Sequence, residues 1–134
     1  MSSRNHKEYN MSLKAYFENT KGTGVLATAN KEGKVGAAIY SRPNFFEDGS
    51  LAFIMRDRLT HANLQSNSSA TYLFIADGPG YQGKRLFLEK IREEENSELL
   101  EKLSKRKSPG EITEPRFLVF FKLVNELPLI GAGK

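Results

Sequence analysis

At 134 residues, 39% hydrophobic and 27% charged, the chain has the size and composition of one globular domain, 1–134, burying roughly two thirds of its unfolded surface. It contains no cysteine and only His6 and His61 as histidines, which excludes disulfides, iron–sulfur clusters and thiol nucleophiles and leaves no ligand set for a closed structural zinc site. The net charge of +4 invites an anionic partner, but acids interleave with the basic residues nearly everywhere, even close to the densest run, Lys102 to Lys107, so a nucleic-acid footprint is not expected. No apolar run approaches the ~20 residues of a membrane span, and the start MSSRNHKEYN has no hydrophobic leader, so a cytoplasmic protein with no membrane partner is expected.

In chain order, Leu13, Tyr16 and Phe17 fall at i, i+3, i+4 within Met11 to Asn19 and predict a short amphipathic helix with Gly22 as its stop. Thr23 to Ala29 and Val35 to Arg42 are rich in small and β-branched residues and flank the turn Lys31-Glu32-Gly33-Lys34, which predicts a hairpin. Pro43 ends the second strand, Glu47-Asp48-Gly49 turns the chain, and Leu51 to Met55 is a third strand. A helical turn over Thr60 to Ser66 leads to a fourth strand, Ala70 to Ala76, and Arg85 to Ile91 alternates as a fifth. Asn96 is placed to cap a helix through Ser104, with Glu93-Glu94-Glu95 as its polar approach. A loop over Lys105 to Pro115 then precedes an almost wholly apolar last strand, Phe117 to Val124. Six mostly antiparallel strands with short helices describe a small, nearly closed β-barrel, since an open sheet would leave long apolar edges.

Two stretches carry candidate chemistry. Gly78-Pro79-Gly80-Tyr81-Gln82-Gly83 matches the dinucleotide pattern GxGxxG, but Lys84 to Leu88 after it reads as a strand, whereas the fingerprint requires a helix. The segment is therefore expected to be a hairpin loop, with Tyr81, Gln82 and Lys84 able to act as a lid. The turn Arg58-Leu59-Thr60-His61 sets a cation, a hydroxyl and the free N–H groups of a helix start side by side, which is a site for a phosphate. Its simpler reading is that Thr60 only caps the helix. No serine, histidine and carboxylate constellation appears, so no catalytic acid or base is named.

From Gly24 to Phe74 the ordered spacing resembles the FMN-binding split barrels related to pyridoxamine 5′-phosphate oxidase. The frame is a strand, the turn Glu32-Gly33, the strand ending Ile39-Tyr40-Ser41-Arg42, an Asp-Gly turn, the strand Leu51 to Met55, and the phosphate turn before Asn63-Leu64 and Asn67. The close Leu127-Pro128-Leu129-Ile130-Gly131 resembles small members of that group. The resemblance implies a mainly β, six-stranded split barrel in a homodimer, with FMN in a groove between subunits and an apolar last strand covered by the partner. It implies that Arg58, Thr60 and His61 face the cofactor phosphate, and that the backbones of Tyr40, Ser41, Ile54 and Met55 line the isoalloxazine ring. Arg42, Asn63 and Lys84 complete the expected cofactor contacts, with the loop from 78 to 85 reaching the partner's flavin. Ala38 and Pro43 stand where the oxidase has basic residues, and the C-terminal part that holds pyridoxal phosphate has no counterpart, so pyridoxamine phosphate is not the expected substrate. The function expected is a small FMN-dependent oxidoreductase using a small-molecule electron donor and acceptor. The alternatives are a deazaflavin in place of FMN, a haem protein with His61 or His6 as axial ligand, and a non-catalytic module that stores flavin or binds nucleic acid.

Overall fold

The computed structural model describes residues 6–104 and 114–131, with side chains from residue 12 onward. Helix α1 (His6–Asn19) precedes strands β1 (Gly22–Ala29), β2 (Val35–Tyr40), β3 (Asn44–Phe45) and β4 (Leu51–Arg56). Helix α2 (Leu59–Ser66), strands β5 (Ser69–Ala76) and β6 (Gly83–Glu95), helix α3 (Glu98–Leu103) and strand β7 (Arg116–Pro128) follow. The strands form one antiparallel sheet in the order β2-β1-β5-β6-β7-β4-β3. It curls into a half-barrel: the rings of Tyr40 on β2 and Phe53 on β4 approach to 5.9 Å, although β2 is an edge strand and β4 lies at the other end of the sheet.

The concave face carries the main core. Leu26, Leu51, Phe53, Met55, Tyr72, Phe74, Leu86, Val119 and Phe121 point into it, and Leu13 and Phe17 of α1 and Leu64 of α2 complete it. Phe17 packs edge-on to Phe74 at 4.9 Å and stacks on Phe45 at 5.9 Å, so α1 covers one part of the open side. Tyr72 crosses the core and donates its hydroxyl to the carbonyls of Tyr40 and Ser41, at 3.3 and 3.1 Å. Burial pushes its phenol pKa up. Space for that ring exists because residue 24 is glycine: a Cβ there would fall on the Tyr72 hydroxyl and ring.

Several sequence expectations are corrected. Seven strands are present rather than six; the additional one, β3, pairs only Asn44 with Ala52 and Phe45 with Leu51, too few residues to show a period. Helix α1 starts at His6, ahead of Met11, and Gly22 is not its stop but a strand residue whose missing Cβ lets the β5 backbone approach. Strand β2 ends at Tyr40, two residues before Arg42. The Glu93-Glu94-Glu95 run belongs to β6 and not to a helix approach, because it pairs with Val119, Leu118 and Phe117 and its first two acids meet Lys90 and Arg92. Ser97 and not Asn96 caps α3, its Oγ accepting from the Leu100 amide at 3.1 Å. Asn96 instead adopts φ 48° and accepts the Arg116 amide.

The apolar character of β7 also has a different cause from the one expected. Phe117, Val119 and Phe121 face the main core, while Leu118 and Phe120 face a second core with Ala52 and Leu100, flanked by Leu99 and Leu103 of α3. The chain's own α3 therefore covers the outer face of β7. Strands β6 and β7 keep contact along their length through register shifts between Phe87 and Leu88 and between Lys90 and Arg92. The loop expected over 105–115 lies largely outside the described residues. Replacing Gly24 with Ala should displace Tyr72 and cost about 2 kcal/mol, in the range of core overpacking; chemical denaturation of the two proteins measures it.

Candidate functional site

The site is built where β4 hands over to α2. Arg58 is the N-cap residue and offers no side-chain hydrogen bond to the helix, whose first turn contains no acid. The first helical bond inside the turn runs from the Ala62 amide to the Arg58 carbonyl at 3.0 Å. The amides of Leu59, Thr60 and His61 are thus left without an acceptor among the described residues, which is the ordinary state of a helix start and a donor set for an anion. The expectation that Thr60 is the side-chain cap is corrected: it lies inside the helix and is buried. Its hydroxyl neighbours the Tyr40 phenol, whose pKa burial pushes up and Thr60 partly pulls back.

His61 does not turn its ring toward that turn's open side. The ring stacks on Phe117 of β7 with centroids 3.7 Å apart and planes 13° apart, and the residue is 6% exposed. Nδ1 lies 3.3 Å from Asp57 Oδ1, and Nε2 lies 3.1 Å from both oxygens of Glu93 on β6. Lys90 Nζ and Gln65 Nε2 also donate to Glu93, at 2.6 and 3.0 Å. Burial works to raise the Glu93 carboxyl, but the bonds from Lys90, Gln65 and His61 together outweigh it and hold its pKa at about 2. His61 therefore contributes its amide to the helix start and uses its ring to tie α2 to β6 and β7. With both ring nitrogens facing carboxylates, it has no free nitrogen for an axial haem ligand; the side chain of His6 lies outside the described residues.

The other expected contacts are distributed as follows. Arg58 is exposed, and its Nη1 donates to Glu114 at 2.9 Å; the same carboxylate accepts from Arg56 at 2.7 Å. Those two bonds hold the Glu114 carboxyl below its ordinary range. Arg42 is committed elsewhere: its Nη1 donates to the carbonyls of Phe17 and Thr20, at 2.7 and 2.9 Å, satisfying the C-terminal end of α1. Asn63 is buried and donates to Thr28 Oγ1 at 3.0 Å, which fixes α2 on β1. Lys84 sits away from the α2 turn, paired with Glu126 at 2.6 Å and 4.7 Å above the ring of Tyr16. The Met55 side chain belongs to the main core and that of Ile54 to the packing under α3, so both leave only backbone to a ligand. On the side away from β7, β3 pairs only with Leu51 and Ala52, and the β4 edge from Phe53 to Arg56 has no strand neighbour among the described residues. The free edge of β2 converges on it, near Tyr40. Sequence reasoning missed Arg56, Asp57, Glu93 and Glu114; the short spacing of Asp57 before His61 was its only visible signal.

The GxGxxG segment is the β5–β6 connection, with Gly78 at φ 113° and Gly80 at φ 77° and the Ala76 amide closing onto the Gln82 carbonyl at 2.9 Å. It is a hairpin and contains no helix start for a pyrophosphate. Among the described residues no helix is long and apolar enough to cross a membrane, and no cluster of metal-ligating side chains is present.

Removing the His61 ring would take away its stack on Phe117 and its bonds to Glu93, so His61→Ala should cost about 3 kcal/mol, the size of a large-to-small change in a core, measured by denaturant unfolding. Because the folded Glu93 pKa lies below its ordinary value, its stabilisation is fully present above pH ~4.5 and is lost as pH falls toward 2. Glu93→Gln should flatten that acid limb in unfolding curves measured across the same window.

Neither a protein-family model nor a curated protein sequence matches the chain. Solved structures do. An FMN-binding protein from Syntrophomonas wolfei subsp. wolfei superposes with a TM-score of 0.73 at 15% identity, covering 95% of this chain and 90% of that one. HupZ from Group A Streptococcus gives 0.65 at 16% identity, covering 89% and 92%. A pyridoxamine 5′-phosphate oxidase-like protein from Lactobacillus delbrueckii gives 0.63 at 17% identity, covering 93% and 97%. The chain has the fold of the FMN-binding and pyridoxamine 5′-phosphate oxidase-related split barrels.

Proposed function

We propose that the chain binds FMN and works as a small flavin-dependent oxidoreductase. The observation that carries this reading is the start of α2, where three amides lack acceptors among the described residues after the N-cap Arg58, whose guanidinium shares Glu114 with that of Arg56, in a fold shared with an FMN-binding protein. That donor set fits a phosphate monoester. The amides of Leu59, Thr60 and His61 would hold the phosphate, with Arg58 as the adjoining cation. The unpaired β4 edge from Phe53 to Arg56 offers backbone donors and acceptors to the pyrimidine rim of an isoalloxazine ring, and Tyr40 closes the far side of the same opening. Bound there, the flavin supplies the electron chemistry, while the protein orients it and limits water.

Mixing the purified protein with FMN should give the two-banded flavin spectrum after gel filtration, and a protein that emerges colourless would overturn the reading. Arg58→Ala should weaken FMN by about 1.5 kcal/mol, the low end for a charge-assisted hydrogen bond because Arg58 is exposed; fluorescence titration measures it.

A second copy of the chain is the proposed partner. The convex face of β2, β1, β5 and β6 presents Ile39, Val25 and Leu73 in one cross-strand row and Ala37, Ala27, Thr71 and Phe87 in the next. Val35 and Ile39 are 76% and 71% exposed. A groove of about 370 Å³ runs across this face between Val35, Phe87 and Val124. Unlike the outer face of β7, it has no helix over it among the described residues. The family resemblance implies a homodimer with flavin at the subunit boundary, and this apolar face beside the free β2 edge suits that arrangement. Ile39→Asp should convert the dimer to a monomer in light scattering and leave the folded monomer intact.

A further inference from the structure

One carboxylate stands within the cationic side of the α2 start. Glu114 Oε1 is 2.7 Å from Arg56 Nη1 and Oε2 is 2.9 Å from Arg58 Nη1, so a single side chain spans both guanidinium groups. Its partners come from the end of β4 and the cap of α2, and Glu114 itself stands two residues before β7. The side chains are 52%, 65% and 31% exposed for Arg56, Arg58 and Glu114. Each of these ion pairs is open to water and weak by itself, so the carboxylate can be displaced, at a cost set by the two pairs together. Yet while it stays, the local charge of the two arginines is halved in effect, with one negative charge set against two positive ones.

We propose that Glu114 is an internal counter-anion that competes with the flavin phosphate for Arg56 and Arg58 and so sets how tightly the site holds FMN. The inference rests on the FMN reading above. A phosphate monoester brings about two negative charges at neutral pH. At the amides of Leu59, Thr60 and His61 it must either displace Glu114 from Arg58 or share the guanidinium groups with it. Both routes weaken binding of the phosphate and neither touches the ring. Glu114 is therefore a selectivity residue for the charged end of the ligand, and its presence keeps FMN exchangeable where bare arginines would retain it. Were Glu114 only a strut joining β4, α2 and β7, its replacement would alter stability and affect phosphorylated and unphosphorylated flavins alike.

The test is titration of the wild type, Glu114→Gln and Glu32→Gln with FMN and with riboflavin. Glu32 lies in the exposed turn between β1 and β2, and its replacement changes net charge by the same amount away from the site. Glu114→Gln should tighten FMN about tenfold and leave riboflavin within about twofold, while Glu32→Gln leaves both within about twofold. Equal changes for FMN and riboflavin, or equal effects of the two variants, would overturn the role of Glu114 with the flavin reading intact. Absence of FMN binding by wild type and Glu114→Gln alike would overturn both.

Discussion

The imidazole of His61, flat against Phe117 and held between Asp57 and Glu93, decides where α2 begins, and the candidate site depends on that position. An eight-residue helix has little stability of its own in water and takes its place from what it packs against. Here three contacts position it: the His61 ring reaches β6 and β7, Asn63 bonds Thr28 on β1, and Leu64 enters the main core. His61 lies in the first turn and Asn63 and Leu64 in the last, so the helix is fixed along its whole length and the first turn, whose amides lack acceptors among the described residues, is fixed with it. A rigid donor array loses little on meeting an anion, because its order already exists before binding.

Around this start the molecule separates its tasks by sheet face and by sheet end. The β4 and β7 end is buried on both faces, inside by the main core and outside by α3. The β2 and β1 end is buried only on its concave face. The asymmetry leaves the candidate site on a doubly packed support, while the outer face of the opposite end stays apolar with no helix over it among the described residues. Arg42, just beyond β2, ties that end of the sheet to α1 by satisfying the carbonyls of Phe17 and Thr20.

Most of the fold was legible because its elements carry local signals in residue type, period and turn. The small and β-branched residues of Thr23 to Ala29, the apolar run Ala70 to Ala76, the alternation of Arg85 to Ile91 and the Glu-Gly and Asp-Gly turns mark strands that the structure contains. Where reading failed, the deciding contacts are distant in sequence. Glu93 to Glu95 looked like the approach to a helix because their local pattern is polar; their pairing with Val119, Leu118 and Phe117 lies more than twenty residues away. Two-residue β3 has no pattern to read. At the site, the turn itself was visible, but the direction of the His61 ring depends on Phe117 and Glu93, and the engagement of Arg58 depends on Glu114. Arg42 was expected at a ligand because it stands one residue before Pro43, where the oxidase has a basic residue on the phosphate, and only the proximity of the α1 carbonyls shows its commitment.

The register shifts in the β6–β7 hairpin have a consequence for how this chain can vary. Residues on a strand alternate between faces, so one inserted or deleted residue exchanges every side chain beyond it between the two faces. In β6 the shifts at Phe87/Leu88 and Lys90/Arg92 fall just before Glu93. Ile91 is the unpaired residue of the second shift, so a single deletion there can be absorbed by loss of the bulge, whereas one residue inserted between Arg92 and Glu93 would send Glu93 to the outer side and put the new residue beside the His61 ring. An insertion at that point is therefore tolerable only in pairs or when matched by a compensating change in β7. Descendants of this sequence are expected to conserve the hairpin's count of residues more strictly than their identity.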